Sequence, residues 1–517
     1  MRAKKILALL TIAAFLVMMA AGCGKESSAP SKKEVKPLTV GWANWCSNLD
    51  PGDGYNGWYT MEFGMGETLV KTSKGMKLEP WLAESWTKVD DSTWKIKIRD
   101  NVKFHNGKNV DGEAVKASLE RTIKMNKRAP GLLDIASIEA KGNEVTIKNN
   151  KPNPSFITTL ADPFATIVDA AAAEEMGDKF LENPVLTGPF KLKEYVVDER
   201  VVVIRNEDYW GEKAKLKDVV FKNILDANTR LMALQSGEVQ VADKIPAEQM
   251  EVLGKNKDIK VLSESSVRVH MLIFNLTKPG LDDINVRKAI NMAVNRDDLA
   301  QKVMSGSGIP AVGPFPPVLP FGGSELKGYA YNLEGAKKLM DEAGWKPGSD
   351  GIRQKDGKKL EYTFLTYKNR PELPVIMEAI QSQLKGIGIK VEIKNVENAS
   401  EVMKSGDFDG SIYSFSTAPT GDPQYMLETI FMTGGDNNFG HYSSGKLDAL
   451  GKKLQSTFDA KERNAIAKDA QQILIDDAAF AFLVYPKIIT AVHKDVEGLV
   501  ITPTEYYFLD SKMSYRN

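Results

Sequence analysis

Alternation of apolar and polar residues predicts strands in the first part of the chain. Residues 38–42 read Leu-Thr-Val-Gly-Trp, and residues 94–98 alternate Trp and Ile with Lys. A period of two places the apolar side chains on one face of a half-buried strand. Short apolar runs predict two further strands, at residues 145–147 and 201–204.

Apolar residues at helical spacing predict helices between and after these strands. Ala114, Val115, Leu119 and Ile123 lie on one helical face. The same spacing recurs at residues 286–294, 333–343, 375–385 and 466–474.

Glycine turns connect the later helices to strands. Gly344 follows one helix in the position that glycine favours. Gly386 and Gly388 lead from another helix into a strand at 389–393, and the final helix precedes an apolar strand run at 479–492. The order helix, glycine turn, strand is typical of a layered α/β domain.

The N-terminus predicts export and lipid attachment. Three basic residues precede an apolar stretch at 6–21, which ends in Ala20-Ala21-Gly22-Cys23. The stretch is shorter than the roughly 20 residues of a membrane span. This order resembles a bacterial lipoprotein signal (1–22), although Ala20 stands where leucine is usual, and it implies a lipid on Cys23. A polar tether (23–35) would follow. The alternative is an ordinary secretory signal with a chance cysteine.

Composition adds three exclusions. Lys plus Arg and Asp plus Glu each number 68, so no basic footprint for nucleic acid exists. After the signal, no apolar run approaches the length of a membrane span. With Cys23 lipidated, Cys46 is the remaining cysteine, so no internal disulfide is expected.

Motifs of catalysis are missing from the sequence. It has no Gly-x-Ser-x-Gly, His-Glu-x-x-His, Walker loop or Cys-x-x-Cys. The four histidines, at positions 105, 270, 441 and 493, lack local metal-ligand spacing. We therefore expect a protein that is not an enzyme and that has no resident cofactor or direct metal ligands.

Blocks along nearly the whole chain resemble one family. They include residues 78–86 (LEPWLAESW), 102–107 (VKFHNG), 187–190 (TGPF), 205–210 (RNEDYW) and 286–290 (VRKAI). Each is weak alone, but their order is specific. The chain resembles solute-binding protein family 5, the extracytoplasmic peptide- and nickel-binding proteins of ABC importers, and lies nearest the nickel-binding branch.

The resemblance implies an α/β clamshell of two lobes, with an extra domain inserted in lobe one. Lobe one would comprise 36–78, 187–273 and 492–517, the insert 79–186, and lobe two 274–491. The crossings would lie near Phe274-Asn275 and Val492. Ligand would close the lobes, and the closed form would dock on an ABC permease. A monomer outside the cytoplasmic membrane is expected.

Residues 413–423 carry the resemblance that bears on the ligand. In peptide-binding relatives an aspartate three residues before the Asp-Pro aspartate grips the peptide ammonium. Here Pro419 occupies that position, three before Asp422, and proline offers neither charge nor N–H. The candidate binding residues of this segment are Tyr413, Phe415, Ser416, Thr417, Thr420 and Asp422.

The nickel-binding branch fits this chain in part. Such proteins hold nickel through a chelator whose carboxylates face arginines and whose surface packs on a tryptophan. Arg128 matches one arginine, and Lys404 stands where a second is found, which keeps the charge but loses the bidentate fork. The third has no clear counterpart around residues 161–164, and Ser416 replaces the tryptophan.

The first loop is a further candidate wall of the cleft. Trp45, Tyr55 and Trp58 surround Cys46, and this loop lines the cleft entrance in the family. Either these aromatic side chains face the ligand or they pack the first lobe. Cys46 could be a soft metal ligand or a small buried side chain.

The favoured ligand is a nickel chelate or a similar small metal complex. The alternative is an oligopeptide or dipeptide receptor with a relocated amine anchor, for instance Asp422 or Glu62. An enzyme or a chaperone that uses the same scaffold is a third option, because fold alone does not fix function.

Overall fold

The strands that the sequence predicts form the frame of the structure. The computed structural model describes residues 36–43, 45–323, 325–368 and 370–516. The predicted signal, Cys23 and the tether lie outside the described residues. Of the described part, no helix is both long and apolar enough to cross a membrane.

Twelve strands of the described chain form one mixed sheet. Ten of them follow in order across it: Lys390–Asn395, Glu361–Thr366, Gly410–Ser416, Arg268–Phe274, Phe480–His493, Val241–Ala242, Leu38–Trp42, Asp218–Asn223, Arg200–Arg205 and Phe190–Val196. Two more, Ile259–Ser265 and Gly308–Pro310, pair with Phe480–His493. We call the half that ends at Phe190–Val196 lobe one and the half that ends at Lys390–Asn395 lobe two; Ile259–Ser265 belongs to lobe one and Gly308–Pro310 to lobe two.

A separate four-stranded antiparallel sheet is formed by a stretch of chain that follows Leu38–Trp42 and precedes Phe190–Val196. Its strands follow in the order Ala83–Lys88, Thr93–Ile98, Glu144–Asn149 and Ile135–Lys141. The predicted helix forms as Gly112–Met125 and packs on this sheet through Val115 and Leu119. Asp111 caps it by accepting a hydrogen bond from the Ala114 N–H at 3.0 Å.

The remaining short strands make small ladders. They are Val70–Thr72 with Leu78–Pro80, Lys346–Pro347 with Arg353–Lys355 and Lys358–Lys359, and Val496–Glu497 with Ser514–Tyr515.

Helices cover the sheets, and the predicted ones form close to their expected bounds. The α-helices are Asn56–Glu62, Gly112–Met125, Ala129–Leu133, Phe156–Thr159, Ala170–Met176, Ala227–Gln235, Met250–Gly254, Ile284–Ala293, Arg296–Asp298, Leu333–Glu342, Glu372–Lys385, Ala399–Ser405, Gln424–Met426, Gly445–Leu454 and Ala460–Asp476. Short 3₁₀ turns occur at Pro163–Ala165, Gly177–Leu181 and Ala247–Gln249, and π turns at Leu299–Val303 and Leu427–Phe431. Gly344, after the helix Leu333–Glu342, has φ +86°, the left-handed conformation that the sequence predicts there.

One long strand joins the two lobes. The part of Phe480–His493 up to Pro486 pairs with lobe-two strands, and the part from Lys487 onward pairs with Ile259–Ser265 of lobe one. The second crossing is the short connection Ser266-Val267. The Ser266 hydroxyl donates to the Pro486 carbonyl, so a hydrogen bond ties the two crossings together.

Both crossings therefore lie earlier in the chain than the sequence predicts. The expected positions were Phe274-Asn275 and Val492. Arg268–Phe274 instead pairs along its whole length with Gly410–Ser416, which makes it a central strand of lobe two, and all seven of its residues are buried. Val492 pairs with Lys260 and Val241, inside lobe one. Sequence blocks mark similar residues, whereas strand pairing decides which lobe a segment joins.

Candidate ligand-binding cleft

A cavity of about 440 Å³ lies beside the crossings and between elements of both lobes and the insert. One side carries Tyr55, Trp58, Arg128, Asp162, Phe164 and Tyr506. The facing side carries Lys404, Tyr413, Phe415, Ser416, Thr420 and Tyr425. Its volume is within the range of clefts that bind small molecules, roughly 300–1,000 Å³.

The structure brings together most of the residues that the sequence singles out. Tyr55, Trp58, Arg128, Lys404, Tyr413, Phe415, Ser416, Thr420 and Asp422 all border the cavity, and so does Pro419. Trp45, Cys46 and Thr417 are not among its lining residues. For these three, the expected position in the cleft is corrected.

The first loop divides between core and cleft. Trp45 packs against Phe63 with ring centroids 6.4 Å apart, and Cys46 is 3% exposed in the lobe-one core. Burial raises the pKa of the Cys46 thiol to about 11, so the thiol stays protonated at neutral pH. A protonated, buried thiol is a small apolar side chain rather than a soft metal ligand.

Thr417 has a structural role at the crossing. Its N–H and its hydroxyl both donate to the Val267 carbonyl, at 2.9 and 2.8 Å. The residue is fully buried. It therefore fixes the end of the strand Gly410–Ser416 to the connection between the lobes.

Trp58 is positioned by the helix Asn56–Glu62 and by two acceptors. Its indole N–H donates to Glu62 Oε1 and to the Glu505 carbonyl, each at 3.0 Å. Tyr506 meets its ring edge-on, with centroids 5.0 Å apart. The indole is thereby held as a rigid aromatic surface at the cavity.

Tyr413 and Phe415 form the aromatic surface of lobe two. They are two residues apart on the strand Gly410–Ser416, so both side chains lie on the same face of the sheet. Their ring centroids are 4.5 Å apart. Together with Trp58 they place aromatic rings on both sides of the cavity.

Arg128 is held between aromatic rings and a carboxylate. Its Nη2 lies 3.2 Å from Asp162 Oδ1, and its guanidinium lies 4.4 Å from the Tyr55 ring centroid and 5.0 Å from that of Phe164. Burial opposes its charge, but Asp162 and the nearby phenols outweigh burial and raise the pKa of Arg128. Its cation is therefore permanent and already paired.

Neither relocated amine anchor that the sequence suggested is free. Asp422 accepts two hydrogen bonds from Arg463 Nη2, at 2.8 and 2.6 Å, in a buried pair. Glu62 is 2% exposed, and burial raises the pKa of its carboxyl well above the ordinary value. One carboxylate is neutralised by an arginine, and the other is stabilised in its uncharged form behind Trp58.

Lys404 differs from the other charged residues at the cavity. It lies exposed in the last turn of the helix Ala399–Ser405 and makes no ion pair with any described residue. The other charges at the cavity are paired, as Arg128 with Asp162, Arg268 with Glu505 and Asp422 with Arg463. Among the described residues that line it, the cavity therefore carries one uncompensated positive charge.

Several lining residues had no signal in the sequence. Arg268, Tyr425 and Tyr506 come from three segments far apart in the chain, and no local motif marks them. Asp162 lies in the stretch where the family resemblance would place a third arginine, and it contributes the opposite charge. In the described part of the chain, no three His, Cys, Asp or Glu side chains come together as metal ligands.

A second cavity of about 420 Å³ lies within lobe two. Two charged residues, Arg296 and Asp297, line it. Arg296 donates to the Phe482 carbonyl at 2.6 Å, to the Asn291 carbonyl and side-chain oxygen at 2.9 and 2.7 Å, and to the Val294 carbonyl at 3.4 Å. Burial lowers the pKa of Arg296 to about 10, which still leaves it charged at neutral pH.

Comparison with known proteins identifies the class to which this fold and cleft belong. Residues 77–438 match the family model described as bacterial extracellular solute-binding proteins, family 5. The chain is 30% identical over 495 residues to the nickel-binding protein NikA of Staphylococcus aureus, covering 96% of each. It therefore belongs to family 5 of the bacterial extracellular solute-binding proteins.

Two solved structures of similar proteins hold different kinds of ligand. The crystal structure of S. aureus NikA in complex with Ni(L-His)₂ matches with a TM-score of 0.80 and 29% identity, covering 93% of this chain and all of that one. The oligopeptide-binding protein AppA of Bacillus subtilis, in complex with a nonapeptide, matches with a TM-score of 0.78 and 26% identity, covering 93% and 99%.

The glutathione-binding protein GsiB of Escherichia coli is 28% identical over 521 residues, covering 96% of this chain and 98% of GsiB. The chain is thus a substrate-binding protein of an ABC importer, with a two-lobed α/β fold, and not an enzyme.

Proposed function

We propose that this binding protein captures a nickel chelate, or a similar small metal complex, and delivers it to its permease. The observation that carries the proposal is the chemistry of the cavity. Aromatic rings stand on both sides, Lys404 adds an unpaired cation, and the carboxylates are held in ion pairs. Such a surface suits a flat ligand that presents carboxylate oxygens.

In this proposal the chelator coordinates the metal and the cleft recognises the chelator. The cavity's acidic oxygens are engaged by Arg128 and Arg463, so they are poor ligands for a bare cation. Amino-acid chelators supply nitrogen and oxygen ligands that suit nickel. The similarity to NikA, solved with Ni(L-His)₂, supports this ligand class.

A peptide or glutathione is the second candidate. The similarity to GsiB and AppA favours it. Against it stands Pro419, which lines the cavity at the position where peptide-binding relatives carry an aspartate. Asp422 and Glu62 do not replace that anchor, because the first pairs with Arg463 and the second is stabilised uncharged.

Calorimetry separates the two candidates. We expect weak binding of Ni²⁺ alone and tighter binding when L-histidine is present. Arg128→Ala should weaken binding of nickel with L-histidine more than binding of Ni²⁺ alone, because in this proposal Arg128 contacts the chelator and not the metal. Arg200→Ala, which removes an arginine paired on the lobe-one surface, is the matched control. Tight binding of short peptides without a response to nickel plus histidine would contradict the proposal.

The division of the chain is also a proposal. Strand pairing supports lobe one as 36–78, 187–266 and 487–517, the insert as 79–186, and lobe two as 267–486. Rotation about Ser266-Val267 and Pro486-Lys487 would close the lobes on the ligand. Small-angle scattering should show a smaller radius of gyration with bound ligand; identical curves would contradict closure.

We further propose that the mature protein is a monomer anchored outside the cytoplasmic membrane by a lipid on Cys23. The basic, apolar, small-residue order of the N-terminus supports this anchor. Cys23→Ser should release the protein from membranes. A variant that stays with the membrane fraction after salt washing would contradict the anchor.

A further inference from the structure

Arg268 borders the cavity at the crossing between the lobes. It is the first residue of the strand Arg268–Phe274, directly after Ser266-Val267, and its side chain is 11% exposed. Its guanidinium lies 5.6 Å from the centroid of the Trp58 ring. Arg268 is thus placed at the hinge end of the cleft, beside the aromatic surface.

Most hydrogen-bond donors of Arg268 are unused. A guanidinium has five N–H groups. Its Nε donates to Glu505 Oε1 at 3.0 Å, and its two terminal nitrogens donate to no described residue. Arginine N–H groups in a partly desolvated site have a strong preference for carboxylate oxygens. These donors are therefore available to a ligand in the cavity.

Glu505 holds Arg268 from the other lobe. Its side chain is 8% exposed, and its Oε2 lies 3.5 Å from Lys244 Nζ. Glu505 therefore lies between Lys244, which follows the lobe-one strand Val241–Ala242, and Arg268, which begins a lobe-two strand. The Glu505 carbonyl also accepts from Trp58, so one residue positions both the indole and the guanidinium.

The backbone at this ion-pair cluster is strained. Glu505 has φ +62° and Lys244 has φ +46°, in the left-handed region that side chains other than glycine seldom adopt. Strained residues persist where the surrounding structure fixes them, and they concentrate at ligand-binding sites and switches. Both strained residues belong to the group that orients Arg268.

We infer that Arg268 is a further carboxylate-binding residue of the cleft, beside Arg128 and Lys404, and that Glu505 is its positioning residue. The inference rests on the proposed function only in requiring that the ligand carries a carboxylate. Arg128 and Lys404 would contact the ligand from the insert and from lobe two. Arg268 would contact it at the hinge, where one guanidinium is fixed to both lobes.

The test compares a ligand acid with its amide. Calorimetry would measure Ni²⁺ with L-histidine against Ni²⁺ with L-histidinamide, which lacks the carboxylate. We expect the wild type to prefer the acid by about tenfold or more, the worth of one charged hydrogen-bonding group. Arg268→Gln should reduce that preference to about threefold or less. Arg200→Gln, at an exposed ion pair, should leave it unchanged.

Two further variants separate recognition from folding. Arg268→Lys keeps the charge beside Glu505 but loses the fork, so it should fold as the wild type does and lose part of the preference. Glu505→Gln should also lower the preference for the acid, because Arg268 is still present but no longer held in position by a carboxylate. Equal loss for acid and amide in each variant, or an unchanged ratio in Arg268→Gln, would overturn the inference.

A peptide ligand would be tested in the same way. If the wild type binds glutathione and not the nickel complexes, the proposed function fails, and the ratio is measured with glutathione and its diamide. A ratio that collapses in Arg268→Gln still supports the inference. A wild type that does not distinguish acid from amide with either ligand overturns it.

Discussion

The cleft cavity and the lobe-two cavity have nearly equal volumes, about 440 and 420 Å³, but their arginines are used differently. Arg296 in lobe two donates to three carbonyls and a side-chain amide oxygen, which secure the elements around it. Arg268 in the cleft has one described acceptor and several free donors. Volume alone therefore does not mark a ligand-binding cavity, whereas arginine N–H groups that no described residue accepts support that assignment for the cleft.

The two cavities also differ in the kind of acceptor that holds their arginines. Arg296 is held by backbone and amide oxygens, which do not titrate. Arg128 and Arg268 are held by the carboxylates of Asp162 and Glu505. The first arrangement stabilises the fold at any ordinary pH, and the second links the cleft to carboxylate ionisation.

The largest expected effect is on stability and belongs to lobe two. Arg296→Met leaves four acceptors without their charged donor, which should lower the free energy of unfolding by about 3–4 kcal/mol. Ligand affinity should change less than about twofold. Urea unfolding and calorimetry measure the two quantities. Arg287→Met is a matched control, because Arg287 is likewise a buried lobe-two arginine that donates to backbone carbonyls, but it is not among the residues that line this cavity.

An affinity loss in Arg296→Met as large as that of a cleft variant would break the comparison. It would mean that the lobe-two cavity takes part in ligand binding.

The second prediction concerns acid stability at the cleft. Burial disfavours the charge of Glu505, but Arg268, Lys244 and Arg370 outweigh it and lower the pKa of Glu505 to about 2. Its contribution is therefore complete above the ordinary carboxyl value of 4.5 and is lost as pH falls from there toward 2. It amounts to about 3 kcal/mol at neutral pH.

Glu505→Gln should show this dependence as a stability gap from the wild type. Asp243 and Glu62 also lie close to the Glu505 carboxylate. Both remain in Glu505→Gln, so wild type and variant share them. The gap should be widest above pH 4.5 and narrow below it, whereas the gap for Arg296→Met should stay level. Urea unfolding at several pH values measures both. A level gap for Glu505→Gln would show that its carboxylate is not what holds the cleft arginine.

The smallest effect sharpens the role of the unpaired cation. Lys404→Glu should weaken binding of nickel with L-histidine by about tenfold, because reversing an exposed charge changes a contact by about 1–2 kcal/mol. Added salt should reduce the difference. Lys452→Glu is the control, since Lys452 is also an exposed lysine in the last turn of a helix and makes no ion pair with a described residue. Equal losses of affinity in the two variants would show that Lys404 does not contact the ligand.

The scaffold was predictable because its signals are local. The alternation at Thr93–Ile98, the helical spacing of apolar residues in Gly112–Met125 and the glycine after Leu333–Glu342 each depend on neighbouring residues. The predicted crossings lie too late in the chain. Arg268–Phe274 joins lobe two through hydrogen bonds to Gly410–Ser416, a strand far away in sequence.

The cleft was predictable only where resemblance supplied positions. Arg128, Lys404 and Tyr413 were found in this way. Arg268 and Glu505 were not, because they are separated by more than two hundred residues in sequence and become partners only through the fold. Cys46 was placed near the cleft by its aromatic neighbours, yet those neighbours divide between core and cavity.

The central claim is that the cleft holds a small metal chelate, and native mass spectrometry with metal analysis tests it most directly. The protein would be isolated from its host without added ligand and measured under non-denaturing conditions. We predict a bound mass that contains nickel together with a small carboxylate-bearing chelator and that is lost when the metal is removed. A bound peptide without stoichiometric metal would contradict it.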